Sequence, residues 1–502
     1  MRHALALAAA TPAAMAAGAT SLAAGVPADV ALPASGGPAP QAMRGAAPNG
    51  AGEAAREPAR EAAGDAGPAG SPAEGRGDGG PALRAGAGRA EVVFAPTLYP
   101  MEGFVAQHDA LAARVLLLDS AGVRTAIAVI DITSMSAALV AGMKAVVARE
   151  AALATEQVLI CASHTFSAPH VFAPGDSLAG ADVAHNDAIL QCYTSALSQA
   201  AAQAHATLQT ATLGYGEGSS RVGVNRDVPT PAGWWLGAND DGYSDPTIGV
   251  VRIDGQSGAP LAILLNAAVQ PSIMDGSQRS AGGKLITADL AGAAARHIEQ
   301  HYAGAVAMFL IGAAGDQAPL MQANRHVVRD DGSVTRVDAH EAGFLLVDQL
   351  GEKLGSAAAR VAAGIKPAQA PTVTLRRDSV QLDARVYISH TPPAGPVASI
   401  EYQPAGQTTL PFVLLQLGGL ALVGVQPELS ASIGAQIRAA SPYRQTLVAT
   451  MVDGAAKYLP ERQAYQRTTY EARSSPFAPG AAEAAATAIV AGLRKMKQDH
   501  KD

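Results

Sequence analysis

The stretch from Val158 to His170, VLICASHTFSAPH, sets an imidazole just past an apolar run. A histidine at the end of a buried strand can ligate a metal, or it can be a polar residue satisfied by the loop that follows. His164 leaves both open on its own surroundings. Three more apolar runs end in polar residues, LLNAAVQPSIMDG, FLIGAAGDQAP and ALVGVQPELS, and the polar-aromatic stretch DGAAKYLPERQAYQRTTYEARSSPFAPGAAE follows them. Strand ends are where α/β folds gather their chemistry. Taken singly, each residue has a plain alternative. Glu428 suits the first turn of a helix, and Asp316 suits a turn. Arg226 can serve a loop ion pair, and Gln270 can bond its own strand neighbours. Tyr458 and Tyr470 can be half-buried tyrosines with bonded hydroxyls. Trp234 and Trp235 either cap a core or give an apolar rim to a lipid-like substrate.

Common catalytic signatures are missing. GQSGAP fails the nucleophile-elbow pattern at its last glycine, and GYGEGSS lacks the third glycine of a dinucleotide loop. No phosphate-binding loop, H-E-x-x-H or C-x-x-C pair occurs. The two cysteines are no framework: Cys161 reads as a small buried hydrophobe and Cys192 lies in a helical pattern.

The elements that must position these residues alternate. ARVLLLDSAGVRTAIAVIDIT reads as two strands around a Ser-Ala-Gly turn, and GVVRIDGQSGAPLAILLNAAV as a hairpin turning at Gly255–Gly258. Helical spacing marks SAALVAGMKAVVAREAALAT, HNDAILQCYTSALSQAAAQAHATL, TADLAGAAARHIEQHY, AHEAGFLLVDQLGEKLGSAAARVAAG, LSASIGAQIRAA and PGAAEAAATAIVAGLRKMKQ. The class is α/β with a large mixed sheet. No repeat at fixed period appears.

Residues 1–90 contain no Phe, Tyr, Trp, Ile, Cys or Lys. Such sequence cannot bury enough apolar surface to offset its ordering entropy. We read residues 1–25 as an export signal, 26–89 as a disordered Ala/Gly/Pro-rich linker and 90–502 as one domain. A secreted or periplasmic location follows. A net charge of −7 and only 16 % charged residues argue against nucleic acid.

Eight segments resemble, in order, those of the neutral/alkaline ceramidase family. They are His108–Leu118, Ser163–Pro169, Asn266–Ser272, Thr287–Gly292, Gly312–Pro319, Val425–Glu428, Asp453–Pro460 and Ala478–Glu483. The resemblance spans about residues 90–495 and implies the catalytic-domain fold of that family. It also implies a zinc-dependent hydrolase that cleaves an N-acyl amide such as N-acylsphingosine through a metal-activated water. By the same resemblance His164, Glu428 and Tyr458 stand at metal-ligand positions, while Gln270 stands where the family has a second histidine. Arg226 and Tyr470 stand at positions that assist catalysis, and Asp316 lies in the Gly-rich loop. Phe166 replaces a histidine and Ala318 a substrate-contacting serine. His170 and Asp275, near in sequence, could substitute as ligands. The implied partner is a lipid-like acyl amide, with a peripheral contact to the membrane that carries it. A descendant that binds such a compound without cleaving it is the alternative.

Overall fold

The computed structural model describes residues 82–499, apart from 175, 177–181, 330–332, 370 and 389–394. The expected export signal, and the linker up to residue 81, lie outside the described residues.

One supersecondary unit occurs three times. A lead strand pairs antiparallel with the first strand of a hairpin. A helix crosses over from the hairpin to a strand parallel with its second strand, and a second helix packs beside the first. In the first unit these are Arg84–Glu91, the hairpin Ala112–Ser120 with Val123–Ile130, helix Ala137–Ala151, strand Val158–Ala162 and helix Val183–Ala206. In the second they are Thr212–Ser219, Thr247–Asp254 with Pro260–Ala267, helix Asp289–His301, strand Val306–Ile311 and helix Phe344–Gly364. In the third they are Val373–Tyr387, Tyr402–Leu417 with Leu420–Val425, helix Ala431–Ala440, strand Gln445–Ala449 and helix Ala481–Gln498. The connections differ in length, so no fixed period marks the repeat in the sequence. The second unit, for example, inserts the hairpin Gly223–Thr230 with Gly233–Asn239 after its lead strand.

The three sheets share one inner core. Leu116, Leu118 and Val129 of the first meet Val251, Leu264 and Met308 of the second and Leu415, Leu422 and Leu447 of the third. The helices clothe the outer faces. Strands buried on both faces read as unbroken apolar runs, which is why VLICA, VAMFLI and LALVGV stood out. Among the described residues no helix is long and apolar enough to cross a membrane.

The lead strands depart from the sequence reading. Arg84–Glu91, placed in the linker by composition, is a strand of the first sheet. A Cβ on Gly86 would lie 2.0 Å from the Ala204 carbonyl oxygen, and one on Gly88 2.1 Å from that of Ala200. Glycine here lets the helix Val183–Ala206 lie directly on the strand. Gly214–Ser219, the segment that lacks the third glycine of a dinucleotide loop, likewise lies in a strand under a helix. Cβ atoms on Gly214 and Gly218 would lie 2.4 and 2.5 Å from Ile365 and Val361, at the end of the helix Phe344–Gly364.

Candidate functional site

The third residue beyond each hairpin reaches one point. Past Ile130, Ala267 and Val425 these residues are Thr133, Gln270 and Glu428. His164, just past the parallel strand of the first unit, stands among them with a left-handed backbone (φ +66°). That conformation is uncommon for a side chain with a Cβ. It is held by backbone bonds from Ser163 to Ile130 and from His164 to Ile132. The His164 Nδ1 lies 2.5 Å from the Thr133 carbonyl. A carbonyl only accepts, so Nδ1 carries the hydrogen there. The Nε2 then faces Glu428, 3.3 Å from its Oε2 but off the line of a hydrogen bond.

Two loops complete the frame. Glu428 and Leu429 pair in parallel with Tyr458 and Leu459, which places the phenol beside the carboxylate. Gly315 in the GAAGD loop donates its N–H to the Leu429 carbonyl, and a Cβ there would lie 2.9 Å from the Glu428 carbonyl oxygen. Asp316 then ties two units together. Its backbone oxygen accepts from Arg226 N at 2.9 Å. Its carboxyl accepts from Ala431 N at 2.8 Å and from Asn225 Nδ2 at 3.3 Å. Asp316 therefore positions Arg226 and the helix Ala431–Ala440. Burial, with Glu461 and Glu471 adding to it, lifts its carboxyl to about 7.

Arg226 is the hub. Its Nη1 donates to Gln270 Oε1 at 2.7 Å, and its Nε to Glu471 Oε1 at 2.7 Å. Its guanidinium carbon stands 5.3 Å from the Tyr458 ring centre and 5.6 Å from that of Tyr470. The Gln270 Nε2 donates to Glu428 Oε2. The chain Glu471–Arg226–Gln270–Glu428 is thus continuous and buried throughout. Burial favours the charge-free form of Glu428, but His164, Arg226 and Gln270 outweigh it, and its carboxyl is held below the usual range. Burial likewise opposes charge on His164, and Glu428 overrides it, raising the imidazole. Asp227 is pushed far up by burial and by the neighbouring Glu471 carboxylate. Glu471 and Asp227 were not singled out in the sequence. Glu471 lies next to Tyr470 and passes for an ordinary acid in the first turn of the helix Tyr470–Ser474.

The rings make one wall. Phe166 packs edge-on to His164 at 4.6 Å between centres. Tyr458 meets Tyr470 at 5.8 Å, and Tyr470 meets Trp235 at 6.2 Å. Trp235, under Arg473, lines a cavity of about 360 Å³ with His326, Arg336 and Pro396. It is buried, whereas Trp234 is half-buried against Arg467.

The donors do not make a zinc site of the implied kind. His164 Nε2 and Glu428 Oε2 have a separation that two ligands of one tetrahedral ion would share, roughly 3.3 Å for bonds of about 2.0 Å. The place of the second histidine fails. The Gln270 nitrogen contacts the same Oε2 and has no lone pair to give, while its oxygen is turned to Arg226. A catalytic zinc needs three protein ligands, and the third would have to be the Tyr458 phenol, which burial and the neighbouring Glu428 hold in its protonated form, a poor donor to zinc. His170 does not replace the missing one, since its Nδ1 bonds Glu102 at 2.8 Å where both side chains are partly exposed. Asp275 reaches His164 only as a charge through space. Among the described residues no three of His, Cys, Asp and Glu are grouped to hold a metal. Cys161 and Cys192 are both free.

The fold is that of neutral ceramidase. Among solved structures, neutral ceramidase from Pseudomonas aeruginosa superposes with a TM-score of 0.62 at 21 % identity, over 82 % of this chain and 74 % of that one. A ceramidase complexed with C2 superposes with the same TM-score at 20 % identity and the same coverage. No family model matches the chain, and no curated protein does.

Proposed function

We propose that the chain is a ceramidase-like hydrolase acting on an N-acyl amide of the N-acylsphingosine class. The observation that carries this reading is the meeting of His164, Arg226, Glu428, Tyr458 and Tyr470, from segments up to 306 residues apart in number (164 to 470), at strand ends of a ceramidase fold. Zinc is left out, because the donors do not fit it. Arg226, fixed by Glu471, faces the amide carbonyl together with the Tyr458 and Tyr470 hydroxyls. Donors fixed in advance stabilise the oxyanion that forms as water adds. The His164–Glu428 pair takes the proton of that water and returns it to the leaving amine as the C–N bond breaks. The cavity under Trp235, one ring from Tyr470, is of a size to admit part of the substrate. A secreted or periplasmic location and a peripheral membrane contact belong to this proposal.

Turnover of a short fluorogenic N-acylsphingosine analogue by the full chain tests it. Tyr470→Phe and Arg226→Lys should each lower kcat by about 10²–10³-fold, the usual loss on removing one oxyanion donor. Wild-type protein with no turnover above buffer would sink the hydrolase reading. One observation favours a second reading, a binding protein that has lost turnover: Phe166 against His164 and the Gln270 bridge both stand where the resemblance puts imidazoles. Saturable binding of the analogue without product would select it.

A further inference from the structure

We infer that the Gln270 amide stands in for a metal: it cross-links Arg226 to Glu428, so that the site is closed without zinc and admits zinc only when Gln270 is replaced. This goes beyond the hydrolase reading and holds for a binding protein too.

Charge dictates the orientation of the amide. A guanidinium only donates and a carboxylate only accepts, so the oxygen must face Arg226 and the nitrogen Glu428. The flipped amide would set two donors and two acceptors head to head. Both ends of the side chain are therefore used. Gln270 is 1 % exposed and Arg226 is gripped by Glu471 at 2.7 Å through Nε, so neither end has an alternative partner in water.

A dication between His164 and Glu428 would have to displace the Gln270 nitrogen from Oε2. It would then meet the Gln270 side chain with no imidazole to offer and the Arg226 charge behind it, 2.7 Å from the amide oxygen. Repulsion between like charges is poorly screened in a buried site. An amide oxygen is also a poor zinc donor beside imidazole. The hydrogen-bonded bridge does the mechanical part of what a metal does, holding two strand ends from different units in register.

The test is zinc content of the full chain, purified without chelator and without nickel affinity, and then dialysed against zinc. Wild type should hold well under one zinc per chain, and its Tm should not move when zinc or a chelator is added. Gln270→His should approach one zinc per chain, with affinity about 100-fold or more tighter than wild type, since changes to the groups behind a ligand are already worth about 10–100-fold. His164→Ala on the Gln270→His background should abolish that gain. One zinc per wild-type chain, lost in His164→Ala alone, would overturn the inference. So would a folded Gln270→His that gains no zinc. The wild-type measurement decides even if the variants do not fold. Activity separates the two proposals: turnover that a chelator abolishes overturns the bridge and keeps the hydrolase, whereas absent turnover removes the hydrolase and leaves the zinc count to decide.

Discussion

The second and third units deliver side chains from the same backbone position, Gln270 and Glu428, and fill it with opposite chemistry. One is a neutral amide that both donates and accepts, and the other a carboxylate that only accepts. The first unit offers a third solution at Thr133, where the main-chain carbonyl rather than the side chain meets His164. Topology thus sets where a group arrives, and residue type sets what it does there. The units also differ in packing. The lead strands of the first two are glycine-striped and lie close under a helix, while the third carries its close-approach glycine, Gly492, in the helix Ala481–Gln498 instead.

The largest expected effect breaks the carboxylate side of the comparison. Glu428→Leu leaves the Gln270 amide without its acceptor, and His164 and Arg226 without the carboxylate charge that faces them; losing one partner of a buried charged network costs about 3–5 kcal/mol. The urea midpoint should fall accordingly, with the m-value unchanged. A loss below about 1 kcal/mol would mean that the site is wetter than its burial indicates.

Gly88→Ala tests the packing difference. Its Cβ meets the backbone of Ala200 at 2.1 Å, which cannot rotate away, so overpacking of about 2–3 kcal/mol is expected. A Tm equal to wild type would remove the strand Arg84–Glu91 from the fold and restore the boundary near residue 90.

Asp316→Asn probes the tie between the second and third units through pH. A carboxyl lifted to about 7 is above its unfolded value of about 3.9, so it contributes stability that is complete below about pH 4 and lost as pH rises through 7. A displacement of that size corresponds to at most about 4 kcal/mol, and relaxation should leave on the order of 2 kcal/mol. The variant should match wild type near pH 4 and exceed it at pH 8. Parallel stability curves across that range would refute the shift.

Gly492→Ala should do least. Its Cβ meets the end of the flexible Leu414 side chain at 2.9 Å, and the helix gains up to about 1 kcal/mol from losing glycine. The two terms nearly cancel, so a Tm change beyond a few degrees would show that the third unit packs as tightly as the first.

Apolar runs, hairpin turns and helical periodicity marked the hairpins, the helices and the buried parallel strands by themselves, because each is a local property. The turn read at Ser-Ala-Gly is there, at Ala121–Gly122, with positive φ at both positions, which glycine favours and alanine does not. The runs VLICA, VAMFLI and LALVGV pointed to the buried strands, and the polar residues at their ends pointed to the site. The resemblance supplied Arg226, Tyr458 and Tyr470, which no local pattern marks.

Only the tertiary structure decided the rest. The lead strands stayed hidden because glycine reads as linker until a helix is seen lying on it. The threefold repeat stayed hidden because insertions of different length erase a period while leaving the pairing intact. Glu471 and the Thr133 carbonyl could not be found, since one passes for a helix-start acid and the other is main chain. Gln270 is the sharpest case. In the sequence it is a replaced histidine and suggests a loss, but between a guanidinium and a carboxylate its amide has one satisfied orientation. That pairing joins residues 226, 270 and 428, and it exists only once three strand ends share a point.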